Sequence, residues 1–280
     1  MCALLSPLTG MRRWAVRAAA VAVATALIAF PAAPRAQAQT TTTLTVTNLN
    51  DSGAGSLRDA IAQSANTPTG QSTLITFQSG LSGTVPLQSP LFICNNQTLT
   101  IQGPGAAQIL VSGQNSVRVM LLCPGTNVTL SGLTIENGST SYGGGGIFNG
   151  GGTLTVTDST FSGNSGNYGA GGIENGGTLT VTDSTFSANS AGGDGGGILN
   201  DSTLTVTDST FSGNSANYGY GGGILNTGTL TVTDSTFSGN SANSGHGGGI
   251  VNVRNATLKS TLLAGNAGGE LQWRHHLTGL

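Results

Sequence analysis

Four aspartates, Asp158, Asp183, Asp208 and Asp234, recur one per repeat in the string TLTVTDSTFS. A column of carboxylates can face water at a bend, accept hydrogen bonds from neighbouring Ser and backbone groups, or share cations. Calcium is the ion such a column would take, because it binds carboxylate oxygen. The repeats lack the GGxGxD spacing of calcium-binding nonapeptide coils. These residues are therefore expected to be solvated, turn-capping aspartates, with a calcium site as the alternative and no other cofactor. The same column raises polysaccharide cleavage, whose hydrolytic form needs two facing carboxylates. A repeated acid is expected to be structural, however, and no Lys or Arg occurs from Thr153 to Asn252. An eliminative mechanism with a cationic base is thereby disfavoured, and no catalytic residue is assigned.

The non-repeated acids expected near the sheets are Glu136, Glu174, Asp194 and Asp201. Glu174 replaces Phe148, Leu199, Leu225 and Val251 of other repeats. That strip alternates with inward isoleucines, so it is expected to face outward. Exposed apolar strips call for a partner or a covering segment, and Glu174 reads as a solubilising interruption. All four tyrosines, Tyr142, Tyr168, Tyr218 and Tyr220, fall in the variable segment between repeats. Tyr142, Tyr168 and Tyr218 each lie seven residues past the aromatic or aliphatic marker (Ile135, Phe161, Phe211), hence on one edge. Tyrosines in a row on loops can stack on sugars or pack on a protein. Cys94 and Cys123 lie five residues before Leu99 and Val128 and so share a register on neighbouring coils. They are close enough to form a disulfide, or else stand as two buried free thiols.

The elements that position these residues follow from the period. TLTVTDSTFS(G/A)N occurs at Thr153–Asn164, Thr178–Asn189, Thr203–Asn214 and Thr229–Asn240, with a degraded copy at 256–266. Val156, Val181, Val206 and Val232, then Phe161, Phe186, Phe211 and Phe237, and also Ile147, Ile173, Ile198, Ile224 and Ile250, all step by 25 or 26 residues. A unit this short cannot bury a core alone, but wound into a coil it stacks like on like. The expected fold is an all-β, right-handed parallel β-helix with three sheets and roughly eight coils, the hand following from the rule for parallel crossovers. Two asparagine series, one from Asn164 to Asn266 and one from Asn149 to Asn252, are expected to be turn ladders. Outward ranks such as Thr153, Thr155 and Thr157 form flat rows suited to a solvated sheet face; they also suggest ice or surface binding. Residues 56–66 read as a capping helix, with Ser56 as N-cap and Asp59 completing a capping box.

The N-terminus reads as an export signal, residues 1–38. Arg12, Arg13 and Arg17 precede the apolar run Ala18–Phe30, and Ala36-Gln37-Ala38 is a small-x-small cleavage site. The β-helix is expected over 39–269, with regular repeats at about 128–266, and residues 270–280 form an atypical tail, as if the reading frame changed after about Gly269. Charged residues are 7% of the chain and the net charge is −2. No basic field for nucleic acid exists, and no mature segment is apolar enough to span a membrane.

The segments DSGAGSLRDAI, TLTIQGPGA and NVTLSGLTIENG resemble those of bacterial exported β-helix proteins with an N-terminal CSLREAI motif. Gly55 stands where that motif has cysteine. The pairing of GGGI-x-N with F-x-x-N is similar to the repeats of polymorphic outer-membrane proteins. The resemblance covers about Thr43 to Gly269. It implies an extracellular or outer-membrane-associated structural or adhesive protein, with a cell-surface glycan or a protein as partner. A carbohydrate-active enzyme of pectate-lyase-like fold is the alternative.

Overall fold

Thr-Leu-Thr-Val-Thr alternates, so as a strand it turns Leu and Val to one face and Thr to the other. The strand stops where the backbone enters the left-handed region. Asp158, Asp183, Asp208 and Asp234 have φ of 48–49°, a conformation that Asp tolerates better than most residues. A second left-handed position follows the short TFS strand at Gly163, Ala188, Gly213 and Gly239. Each repeat is thus bent at fixed points, and the bends stack.

The computed structural model describes residues 40–68, 70–94, 98–243 and 246–273. The expected parallel β-helix is present, its coils stacked by parallel pairing throughout. Sheet 1 has nine strands, from Thr41–Val46 through Thr153–Thr157 to Asn255–Lys259. Sheet 2 has eight, from Gly83–Pro86 through Thr160–Ser162 to Leu262–Ala264. Sheet 3 has eight, from Leu91–Ile93 through Ile147–Asn149 to Leu271–Trp273. Register is that of the sequence period: Val156 meets Val181, Phe161 meets Phe186 and Ile147 meets Ile173. The three expected sheets gain a fourth. It has five strands of two residues each, from Ser139–Thr140 to Ser241–Ala242.

The interior is a set of columns. Phe161, Phe186, Phe211 and Phe237 stack with centroids 4.5–4.7 Å apart and planes within 6°, which is the spacing of neighbouring strands. At two corners the column is asparagine. Each Nδ2 donates to the Oδ1 of the next coil, at 2.6–2.7 Å from Asn149 through Asn252 and at 2.8–2.9 Å from Asn164 through Asn266. Asn149 to Asn252 and Asn164 to Asn240 are fully buried, so the chains of amides satisfy themselves and the turning backbone. The second ladder ends on Glu270, whose carboxylate accepts from the backbone N–H and Nδ2 of Asn266.

Helix α1, Leu57–Ser64, covers the first coil with Leu57, Ala60 and Ile61. Ser56 Oγ accepts from Asp59 N at 3.1 Å. The return half of the expected capping box lands one residue further out. Asp59 Oδ2 accepts from Gly55 N, because Ser56 N already donates to Gly53 O. Arg58 clamps the helix to the first coil through Asp51 at 2.6 Å and the carbonyls of Ser89 and Pro90.

The expected tail begins as one more rung, since Leu271–Trp273 pairs with Ile250–Asn252. Residues 274–280, with His275 and His276, and the expected signal at 1–38 lie outside the described residues. Among the described residues no helix is long and apolar enough to cross a membrane.

Candidate functional site

Among the described residues, the segment from sheet 4 back to sheet 3 is a variable part of the repeat, and it forms one edge of the coil stack. Tyr142, Tyr168 and Tyr218 project from it at 73%, 76% and 89% exposure. Their backbones are fixed by coil-to-coil bonds: Tyr168 N donates to Tyr142 O, and Tyr218 N to Gly192 O. Aromatic rings at this exposure on a hydrogen-bonded backbone keep their apolar faces available without a large ordering cost on binding.

Tyr220 does not join this row. One extra residue in its coil moves it inward, where its ring lies 5.4 Å from that of His246 and its backbone N–H donates to Asp194 Oδ1 at 2.7 Å. Tyr220 and His246 instead belong to a layer folded over the outer face of sheet 3. That layer is the covering segment that the outward apolar strip calls for, so the strip is covered and not open to solvent. Val251 and Leu225 are 0% and 5% exposed, and Leu199 and Phe148 are half-buried. The covering segment is the chain's own glycine-rich return. At its start Arg118 lies over the Phe148 ring, 5.2 Å from the centroid, a cation–π arrangement.

Glu174 sits in this covered strip and is not a solvated interruption. Its carboxylate rests against Gly143 and Gly169, and a β-carbon on Gly143 would collide with Glu174 Oε2. Both glycines directly follow a tyrosine of the exposed row. Arg118 donates to the carbonyls of Gly143 and Gly144 at 2.6 and 3.0 Å, so it holds the same turn from the other side. Burial raises the Glu174 carboxyl above the ordinary carboxylate range; Asp201 adds to the rise and Arg118 opposes it. Burial likewise lowers Arg118, which Glu174 partly offsets. Arg118 was not a sequence-derived candidate. Its register was the available signal: it lies two residues before Met120, which pairs with Ile147.

The remaining candidates are placed as follows. Asp158, Asp183, Asp208 and Asp234 are exposed at the left-handed turn between sheets 1 and 2. Among the described residues no three His, Cys, Asp or Glu side chains converge. The threonine ranks are in register on the outer face of sheet 1. Cys94 and Cys123 are joined in a disulfide with Cα atoms 4.7 Å apart. The reading as buried thiols gives way, since Cys94 is exposed and Cys123 half-buried.

A family model for the right-handed β-helix region matches residues 92–266. The chain belongs to the right-handed β-helix family. No curated protein matches it. The match begins near the third sheet's first strand and ends at the last rung of the second asparagine ladder. It therefore spans the columns, the tyrosine edge and the Glu174 strip of this β-helix.

In a β-helix whose neighbours at this register are Phe148 and Leu199, Glu174 opposes folding at neutral pH. A carboxyl whose folded pKa is raised contributes stability fully below its unfolded value and loses it as pH rises through the folded value. Glu174→Leu is expected to stabilise the fold at neutral pH by about 1 kcal/mol. Thermal melts would show a rise of roughly 2–4 °C. The gain should vanish near pH 3.5, about where an unfolded Glu is already protonated. An equal gain at both pH values would refute the assignment.

Proposed function

We propose that the protein is an exported surface or secreted structural and adhesive β-helix that engages a cell-surface glycan or protein through its tyrosine edge. The observation that carries this reading is the row Tyr142, Tyr168 and Tyr218, the most exposed large rings of the array, set on a scaffold whose other repeated residues are committed to columns. Export is supported by the sequence: the basic residues Arg12, Arg13 and Arg17, the apolar run after them, and the resemblance of the N-terminal motif to exported β-helix proteins. The combined Tyr142→Ser, Tyr168→Ser, Tyr218→Ser variant should keep its melting temperature within a few degrees, as exposed substitutions do. It should lose binding on glycan arrays and to intact cells by tenfold or more, at about 1 kcal/mol per ring. Binding equal to the parent protein would reject the edge.

A polysaccharide-cleaving enzyme is the second reading, and one observation favours it. Arg118 supplies the cation that the repeats lack, close enough to Glu174 for each to act on the other's charge, and Asp201 acts on Glu174 as well. Cleavage of a polysaccharide that Glu174→Gln abolishes would support this reading, and no turnover of neutral or uronic polymers would reject it.

A further inference from the structure

The tyrosine row is interrupted, and the interruption has a shape. In the coil between Tyr168 and Tyr218 the matching residue is Gly193, and the residue before it, Gly192, stands where Asn167 and Asn217 stand on either side. The backbone confirms the register. β-Carbons on Gly192 and Gly193 would collide with the carbonyls of Asn167 and Tyr168, and Tyr218 N donates to Gly192 O at 2.9 Å. Two side chains are therefore missing from one coil while both neighbours keep an Asn–Tyr pair. The result is a notch one coil wide, whose Gly192 side opens into a groove of about 360 Å³ across the outer face of sheet 4, lined also by Asn167, Asn217 and Tyr218.

The groove's chemistry is uniform. Its floor is the hydroxyl rank that includes Ser165 and Ser190, and its rim includes Asn167, Asn217 and Tyr218. Ser190 Oγ is within hydrogen-bond distance of both Ser215 Oγ and Asn217 Nδ2, each at 3.2 Å, so the polar rim is pre-ordered. No charged side chain lines the groove. The nearest cation described above, Arg118, is turned onto the Gly143 and Gly144 carbonyls.

We infer that this groove binds a neutral oligosaccharide lying along the axis of the coil stack, with one sugar ring seated over Gly192, between Asn167 and Asn217 and against Tyr218. The inference rests on the proposed glycan-binding edge and narrows it to a ligand class and a position. Ranks of hydroxyls and amides match a ligand made of hydroxyls, and an aromatic ring matches the C–H face of a sugar. A uronate or sulfated chain would bury its charge against uncompensated Ser and Asn groups. Beside the notch a peptide strand has no edge to join, since Ser165–Gly166, Ser190–Ala191 and Ser215–Ala216 are each paired on both sides. The coil repeat, about 4.8 Å, is close to the length of one pyranose residue, so successive sugars can meet successive coils.

Calorimetric titration of the full chain with xylo-, manno- and cello-oligosaccharides, beside oligogalacturonate and sulfated oligosaccharides, tests this. A neutral series should bind. Tyr218→Ala should weaken it about tenfold, Asn167→Ala and Asn217→Ala should each weaken it several-fold, and Tyr142→Ala, outside the groove lining, should weaken it least. Circular dichroism melts of the same variants establish that they fold. Binding confined to anionic glycans, or equal losses at Tyr142 and Tyr218, overturns the notch and leaves the edge standing. No oligosaccharide binding with protein binding retained also overturns the notch, and loss of all binding partners overturns both.

Discussion

Asn214→Ala is expected to destabilise the protein by about 3–5 kcal/mol, more than most core truncations of similar size. The side chain is fully buried and serves four other groups. Its Oδ1 accepts from the backbone N–H of Asn189 at 3.1 Å and from Asn189 Nδ2 at 2.9 Å. Its Nδ2 donates to Phe186 O at 2.9 Å and to Asn240 Oδ1 at 2.8 Å. Alanine leaves at least two donors and one acceptor without partners, in a space where water has no access, and each such group costs about 1–3 kcal/mol. Asn214→Asp keeps the shape and the acceptor but turns the Phe186 and Asn240 contacts into acceptor against acceptor, so it should also destabilise at neutral pH. Chemical denaturation of the three proteins checks this. A loss below 1 kcal/mol for Asn214→Ala would mean that the ladder contributes little. Because coils stack as nearest neighbours, the loss should spread only to adjacent coils, which hydrogen exchange can map.

Reduction of the Cys94–Cys123 disulfide is expected to lower stability by about 3–4 kcal/mol, the loop-entropy value for a bridge spanning 29 residues. The melting temperature should fall by roughly 10 °C. The bridge lies on the coils that carry the first strands of sheet 3, Leu91–Ile93 and Met120–Leu122. These coils lack the long asparagine ladders that hold Asn149 to Asn252 and Asn164 to Asn266. The cross-link thus reinforces the part of the array with the fewest repeated side-chain bonds. The reduced protein and the Cys94→Ser/Cys123→Ser variant should give the same lowered value, below that of the protein melted without reductant. A melting temperature unaffected by reductant, with two thiols titrating before its addition, would show that the bridge does not form.

The sequence carried the fold because the fold is periodic. Valine, phenylalanine and isoleucine at steps of 25 or 26 place the coils in register, and every such pairing holds. The asparagine series were legible for the same reason. Sheet 4 was not legible, because strands such as Ser190–Ala191 have two residues and show no alternation. That Val251 and Leu225 need a cover was legible, but which segment supplies it was not. Alternation says that a residue leaves the inner face; it does not say that a returning loop will lie on it. The meeting of Arg118 with Glu174 joins residues two coils apart, each unique in its column, and no repetition announces such a pair. The tyrosine row was found by counting, whereas counting gave Tyr220 no place, since its coil carries one inserted residue and its ring lies in another layer, beside His246.

The similarity of the coils from Thr153 to Asn240 also bears on inheritance. DNA encoding near-identical tandem units slips and recombines, and here a gain or loss of one whole unit would present the same Leu, Val, Phe and Asn surfaces to the next coil. Copy number is thereby a variable that lineages can change without redesigning a core. The unit carrying Gly192 and Gly193 is the exception. Its excision would seal the array but bring Tyr168 and Tyr218 onto neighbouring rungs and close the opening between them, so that copy alone is not interchangeable with its twins.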